Sequence, residues 1–184
     1  NRVGVKSACI AGSSFGGLVA AEFAINDINM INKLILVSPA GTMKTSTKTL
    51  EEYILASLYP THDNVWRAFN NMAFDPRTVT EETILEFIDR MKLPNAKYAF
   101  MSTMLAIRNT TDLASRLSKV KSPTMIIWGQ NDEMIPVKYS EDYRNIPNSN
   151  VKVIPRCGHT PFTEKPELFS KIAIDFLKGI NSIK

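Results

Sequence analysis

Apolar residues along this chain fall into two kinds of pattern. The first is a short run bounded by Gly or Pro: Val3–Ala11, which mixes apolar and small residues, and Lys33–Ser38, Thr124–Trp128 and Val151–Ile154, with three of the four nearly continuously apolar. Runs of that length, rich in Val and Ile, read as strands, and continuous apolarity reads as strands covered on both faces. The second pattern is apolar residues spaced for one helix face. Leu168, Ile172 and Phe176 recur in a segment that opens at Pro166 and stops at Gly179, which predicts a terminal helix. Good helix formers over Leu18–Ala24 follow the first run after a Gly/Ser turn. Strand-sized runs separated by helical stretches predict an α/β fold: a parallel sheet joined by crossover helices.

The stretch between the second and third runs, residues 41–121, carries no strand pattern. It reads as four helices: Leu50–Leu58, Asn64–Met72, Val79–Met91 and Lys97–Ile107. Thr78 and Glu81 have the spacing of a capping box at the start of the third. Helices inserted after a strand of an open α/β sheet sit near its carboxyl edge, where ligands bind. The expected organisation is therefore a core built from residues 1–40 and 122–184, with a helical lid over residues 41–121. Five of the eight Met residues lie in that lid, which points to a partly hydrophobic ligand beneath it.

Composition narrows the class without changing this picture. With 44% hydrophobic and 22% charged residues over 184 positions, the chain is not disordered, collagen-like or a coiled coil. No apolar run approaches the ~18 residues of a membrane span, so stable membrane insertion is not expected. The net charge of +4 is spread along the chain, whereas a nucleic-acid binder concentrates such charge on one face. Cys9 and Cys157 are far apart, and with two His residues they make a poor zinc site. They read as two buried or half-buried thiols in a reducing compartment, hence a cytoplasmic protein.

Chemistry concentrates at the ends of the predicted strands. Gly12-Ser13-Ser14-Phe15-Gly16 fits G-x-S-x-G in the strand–turn–helix context that places a nucleophile on a sharp turn. Ser14 is the candidate nucleophile, and the Phe15 N–H at the helix start is a candidate oxyanion donor. Serine needs a base, and the base needs an orienting acid. His159 follows the fourth strand in Cys157-Gly158-His159-Thr160, while His62 sits in a polar stretch of the lid and reads as a solvated surface residue. Asp132, after the third strand in Gly129-Gln130-Asn131-Asp132, is the candidate acid, with Glu133 a weaker neighbour. The roles follow: Ser14 attacks a carbonyl, His159 moves the proton, and Asp132 fixes the imidazole tautomer. Such a triad calls for no cofactor and no metal.

The segments AGSSFGG, PTMIIWGQNDEMIP and CGHTPFTEKPELFSKIAIDFL, in this order, resemble the α/β-hydrolase-fold superfamily over nearly the whole chain. The order Ser14, Asp132, His159 is the one that family uses. The lid stretch NVWRAFNNMAFDPRTVTEETILEFIDR and the CGH context are similar to the hydrolases that cleave carbon–carbon bonds of meta-cleavage (ring-fission) products, and to related esterases. Those carbon–carbon hydrolases usually carry Trp after the catalytic His and commonly Met after the nucleophile; this chain has Thr160 and Phe15. The leading expectation is therefore a serine hydrolase of small, partly hydrophobic carboxylic esters acting through an acyl-enzyme. The alternatives are carbon–carbon hydrolysis of a ring-fission diketone, and a non-catalytic binder of a small molecule on the same scaffold.

The resemblance also implies strands before the nucleophile strand and an early loop giving the second oxyanion donor, neither of which is in these residues. The sequence thus reads as the C-terminal half of the fold, part of a longer polypeptide. Left bare, the first strand would be an apolar sheet edge. Strand exchange in a homodimer is the alternative cover for it.

Overall fold

The computed structural model describes residues 4–27, 29–110 and 112–180. Four strands, β1 (Ala8–Ser13), β2 (Ile31–Val37), β3 (Thr124–Gly129) and β4 (Ser149–Ile154), form one parallel sheet in the order β1-β2-β3-β4. The register aligns Ser13 with Val37, Val37 with Ile127, and Gly129 with Ile154. The carboxyl ends of all four strands therefore open onto one edge.

The continuous apolarity of Leu34–Val37 in β2 and Met125–Trp128 in β3 has a direct cause. Alternate side chains point to opposite faces, and both faces are covered. Leu34, Leu36, Ile126 and Trp128 pack with Leu18, Ala21, Ala24 and Ile25 of helix α1 (Phe15–Asn26), and with Leu117, Tyr143 and Ile146. Ile35, Val37, Met125 and Ile127 pack on the other face, against Phe169, Ile172 and Phe176 of the terminal helix. Full burial of one such aliphatic side chain stabilises the fold by roughly 1.5–3 kcal/mol.

β1 differs from the expectation. It starts at Ala8, and Cys9 and Ala11 are exposed. Its ladder runs to β2 alone among the described residues, so one side of the strand faces no partner there. The expected start of this strand, Val3, lies outside the described residues, as do 181–184 of the expected core.

Between β2 and β3 come α2 (Lys48–Leu58), α3 (His62–Met72), α4 (Glu81–Lys92), α5 (Ala96–Asn109) and the short α6 (Leu113–Arg116). Three of them begin on a threonine cap: Thr47, Thr61 and Thr80 accept from the N–H three residues on. The cap of α4 is thus Thr80, not Thr78. Thr78 closes a 3-10 turn over Pro76–Thr78 and donates its hydroxyl to the Asp75 carbonyl. The turn wins because Asp75 and Pro76 fix it first, with the Asp75 carboxylate accepting from Arg77 N–H. α2, α3 and α4 share a small core of Ala56, Val65, Ala68, Ile84 and Ile88. Tyr53, Phe69, Phe87 and Phe100 stack beside it with ring centroids 5.0–6.2 Å apart.

After β4 come α7 (Pro161–Glu164) and α8 (Pro166–Lys178), the latter ended by Gly179 at φ 72°. Among the described residues no helix is long and apolar enough to cross a membrane.

Candidate active site

Ser14 stands between β1 and α1 with φ 52° and ψ −119°. A non-glycine residue there carries backbone strain of about 1–3 kcal/mol and persists only when its surroundings over-determine it. They do. The Ser14 N–H donates to Val37 O at 2.9 Å, while its carbonyl accepts from Gly17 N–H at 3.0 Å, Leu18 N–H at 3.2 Å and Ala40 N–H at 2.9 Å.

The glycines around it play unequal parts. A Cβ on Gly12 would lie 2.2 Å from the Gly16 carbonyl oxygen, and one on Gly17 would lie 2.6 Å from the Pro39 side chain. Gly16 has open space where a Cβ would go. Close packing of the turn therefore rests on Gly12 and Gly17, not on the second glycine of the G-x-S-x-G motif. Phe15 is the first residue of α1, where an N–H has no partner within the helix. Among the described residues its N–H enters no protein hydrogen bond, so it remains available to an acceptor beside Ser14.

Asp132 and His159 come together. The Asp132 Oδ2 lies 2.8 Å from His159 Nδ1, and both residues are buried, each 4% exposed. Asp132 Oδ1 accepts the Met134 and Ile135 N–H groups at 3.0 and 2.8 Å. An ionised carboxylate only accepts, so Nδ1 carries the proton and Nε2 is left with its lone pair. The loop holding Asp132 is braced by Trp128, whose indole N–H donates to Ile135 O at 2.8 Å. The glycine at the end of β3 is also required: a Cβ on Gly129 would meet the Gly158 carbonyl at 1.9 Å. The loops bearing the acid and the histidine thus touch backbone to backbone, with Asn131 N–H donating to Cys157 O at 2.8 Å. Burial pushes the Cys157 thiol up to about 12, with the Glu164 carboxylate adding to the effect, so this cysteine stays a neutral packing residue.

Ser14 is not hydrogen-bonded to His159; among the described residues the ring's side-chain contact is with Asp132. Ser14 and the Asp132–His159 pair nonetheless share one sheet edge, and a nucleophile–base contact that tightens only with substrate bound is common. Glu133 is exposed and does not join the buried pair. His62 is on the surface, at the start of α3, with Nε2 3.1 Å from each Glu81 carboxylate oxygen. That contact raises its pKa above the ordinary histidine value. No three His, Cys, Asp or Glu side chains gather as a metal site among the described residues.

Sequence reasoning passed over the residues that hold this arrangement. The carboxylate of Glu164, at the end of α7, is 7% exposed and accepts from Gly158 N–H at 2.9 Å and Phe74 N–H at 2.8 Å. The His159 N–H donates to Met72 O at 2.9 Å. A Glu five residues past a candidate histidine was a visible signal; its partner at Phe74, ninety residues away, was not. Ser38 also escaped notice. It follows β2 at φ 40°, wholly buried, with its hydroxyl unpaired among the described residues.

A parallel sheet with a strained serine after one strand and a buried Asp–His pair after two others defines the α/β-hydrolase class. Residues 1–166 match the family described as alpha/beta hydrolase fold, and the chain belongs to that family. It is 31% identical over 188 residues to a 2-hydroxy-6-oxononadienedioate/2-hydroxy-6-oxononatrienedioate hydrolase of Pseudomonas putida, an alignment covering 96% of this chain and 64% of that protein. It is 28% identical over 185 residues to a 2-hydroxy-6-oxo-6-phenylhexa-2,4-dienoate hydrolase of Comamonas testosteroni, with the same coverage. The chain thus spans less than two thirds of the length of these curated relatives. Among solved structures, a serine hydrolase of the polyaromatic-hydrocarbon-degrading bacterium Cycloclasticus zankles superposes with a TM-score of 0.88 at 19% identity, covering 98% of this chain and 67% of that one.

Proposed function

We propose that this chain carries the nucleophile, acid and base of a hydrolase that cleaves a carbon–carbon bond in a 2-hydroxy-6-oxo-dienoate substrate. The observation that carries the reading is the buried Asp132–His159 pair, 2.8 Å apart, at the sheet edge that holds Ser14 in left-handed backbone. His159 Nε2 takes the Ser14 proton as Oγ attacks the ketone carbonyl. The developing oxyanion is met by the Phe15 N–H and the positive end of α1. Breaking the adjacent carbon–carbon bond leaves an acyl group on Ser14 and delivers the proton to the departing carbon. Water, activated by His159, then releases the acid. Residues 41–121 serve as the cap over this edge, and residues 1–40 and 122–184 as the core.

The two curated relatives share the 2-hydroxy-6-oxo-dienoate unit in the names of their substrates and differ in what is attached at the ketone. That common unit shifts the reading from ester cleavage to the carbon–carbon alternative. Carboxylic ester cleavage stays as the second reading, because Phe15 and Thr160 stand where carbon–carbon hydrolases commonly have Met and Trp.

The test compares the full protein with its Ser14→Ala and Asp132→Asn variants on 2-hydroxy-6-oxo-6-phenylhexa-2,4-dienoate and on p-nitrophenyl butyrate. The dienoate is expected to give the higher kcat/KM. Ser14→Ala and Asp132→Asn are expected to lower kcat by about 10⁴-fold or more. Turnover of the ester alone would establish the second reading. No turnover of either, with no fluorophosphonate labelling of Ser14, would establish a binder.

A further inference from the structure

The geometry points to Glu164 as a positioning residue that ties the orientation of His159 to the end of the cap helix α3. The inference rests on the assignment of His159 as the base. Its starting point is a buried carboxylate, which is costly unless its oxygens are paired. Both Glu164 oxygens are paired, and to two different parts of the chain. One accepts from Gly158 N–H at 2.9 Å, immediately before His159. The other accepts from Phe74 N–H at 2.8 Å, two residues beyond the end of α3.

Two further contacts make this a clamp. The His159 N–H donates to Met72 O at 2.9 Å, so the histidine's own backbone hangs on the last residue of α3. A Cβ on Gly158 would lie 2.3 Å from Met72 O, 2.8 Å from Phe74 N and 2.9 Å from Glu164 Oε1. Gly158 is therefore glycine because cap and histidine loop meet here at backbone distance. Bonds from N–H groups to an ionised carboxylate are roughly twice as strong as neutral ones. No other side chain among the described residues accepts from both segments. With the carboxylate in place, the ring of His159 keeps its Nδ1–H on Asp132. Without it, two buried N–H groups lose their acceptor and the loop is free to rotate the ring off that line.

Glu164→Gln keeps the size but offers one acceptor oxygen, so it serves one N–H and turns its own NH₂ toward the other. Glu164→Ala removes both acceptors. In the full protein, each variant is read in two ways: fluorophosphonate inactivation of Ser14, and NMR of the far-downfield His159 Nδ1 proton with amide exchange at Gly158 and Phe74. The maximal inactivation rate is expected to fall about tenfold in Glu164→Gln and about 100-fold in Glu164→Ala, a size set by small misplacement of a reacting group. The reagent's half-saturation concentration is expected to change less than twofold. The Nδ1 line is expected to broaden in both variants. If Glu164→Ala fails to fold, the Gln variant carries the test. A sharp, unshifted Nδ1 line with faster exchange at Gly158 and Phe74 would overturn the proposal, leaving Glu164 a purely structural tie. If the unsubstituted protein is not inactivated at all, the base assignment fails, and the Nδ1 line still decides whether Glu164 orients the Asp132–His159 pair.

Discussion

At the scale of the residue, what distinguishes this site is how few atoms it can spare. Gly12 and Gly17 leave no room for a Cβ, whereas Gly16 leaves open space and sits in the first turn of α1. Alanine loses less backbone freedom in a helix than glycine does. Gly16→Ala is therefore expected to stabilise the fold by about 0.5–1 kcal/mol. Gly12→Ala drives a methyl into the Gly16 carbonyl and is expected to destabilise by at least about 2 kcal/mol. Urea unfolding of both variants checks the pair, and a loss of stability in Gly16→Ala would contradict this reading of the turn. The motif was legible in the sequence. Which of its glycines is sterically required was not, because that depends on where the chain returns: Pro39 against Gly17, and the Gly16 carbonyl against Gly12.

At the scale of the element, helix starts were read well where one residue decides them and poorly where two turns compete. Pro166 and Gly179 bound α8 as expected. The start of α4 moved to Thr80 because Asp75-Pro76-Arg77 builds its own turn just upstream. That start also places Glu81 in the first turn of α4, against His62 at the start of α3. The Glu81 hydrogen bond raises the His62 pKa, followed by the weaker opposing effect of desolvation. A raised folded-state pKa means that this contact stabilises the α3–α4 junction fully below the unfolded value, about 6.5. The contribution is lost as pH rises through the higher folded value. His62 is accordingly expected to titrate above 6.5 by NMR, and Glu81→Gln to lower its midpoint. An unchanged midpoint in that variant would show that the contact is not formed in solution.

At the scale of the whole molecule, a few long-range ties close the two sides of the sheet. Lys33 of β2 reaches the far end of α8, where its Nζ donates to Phe176 O at 2.8 Å and Leu177 O at 2.9 Å. A cation there also meets the negative end of the helix. Lys33→Met keeps the aliphatic stem and removes the charge, and is expected to cost about 1 kcal/mol, measured by urea unfolding. On the other face Arg116 pairs with Glu22 of α1, and the Tyr143 hydroxyl donates to Ala40 O at 2.8 Å. The sequence by itself determined the strands β2 and β3, the alternation of sheet and helix, the serine turn, and the placing of Asp132 and His159 after the ends of the third and fourth strands. Each of these rests on local apolar periodicity or on strand ends that a parallel sheet must bring to one edge. Only the tertiary structure decided that β1 begins at Ala8, that α4 is capped by Thr80, and that Glu164 joins the histidine loop to the segment after α3. Those features depend on which distant backbone groups are left without partners once the chain has packed, and no local pattern records that.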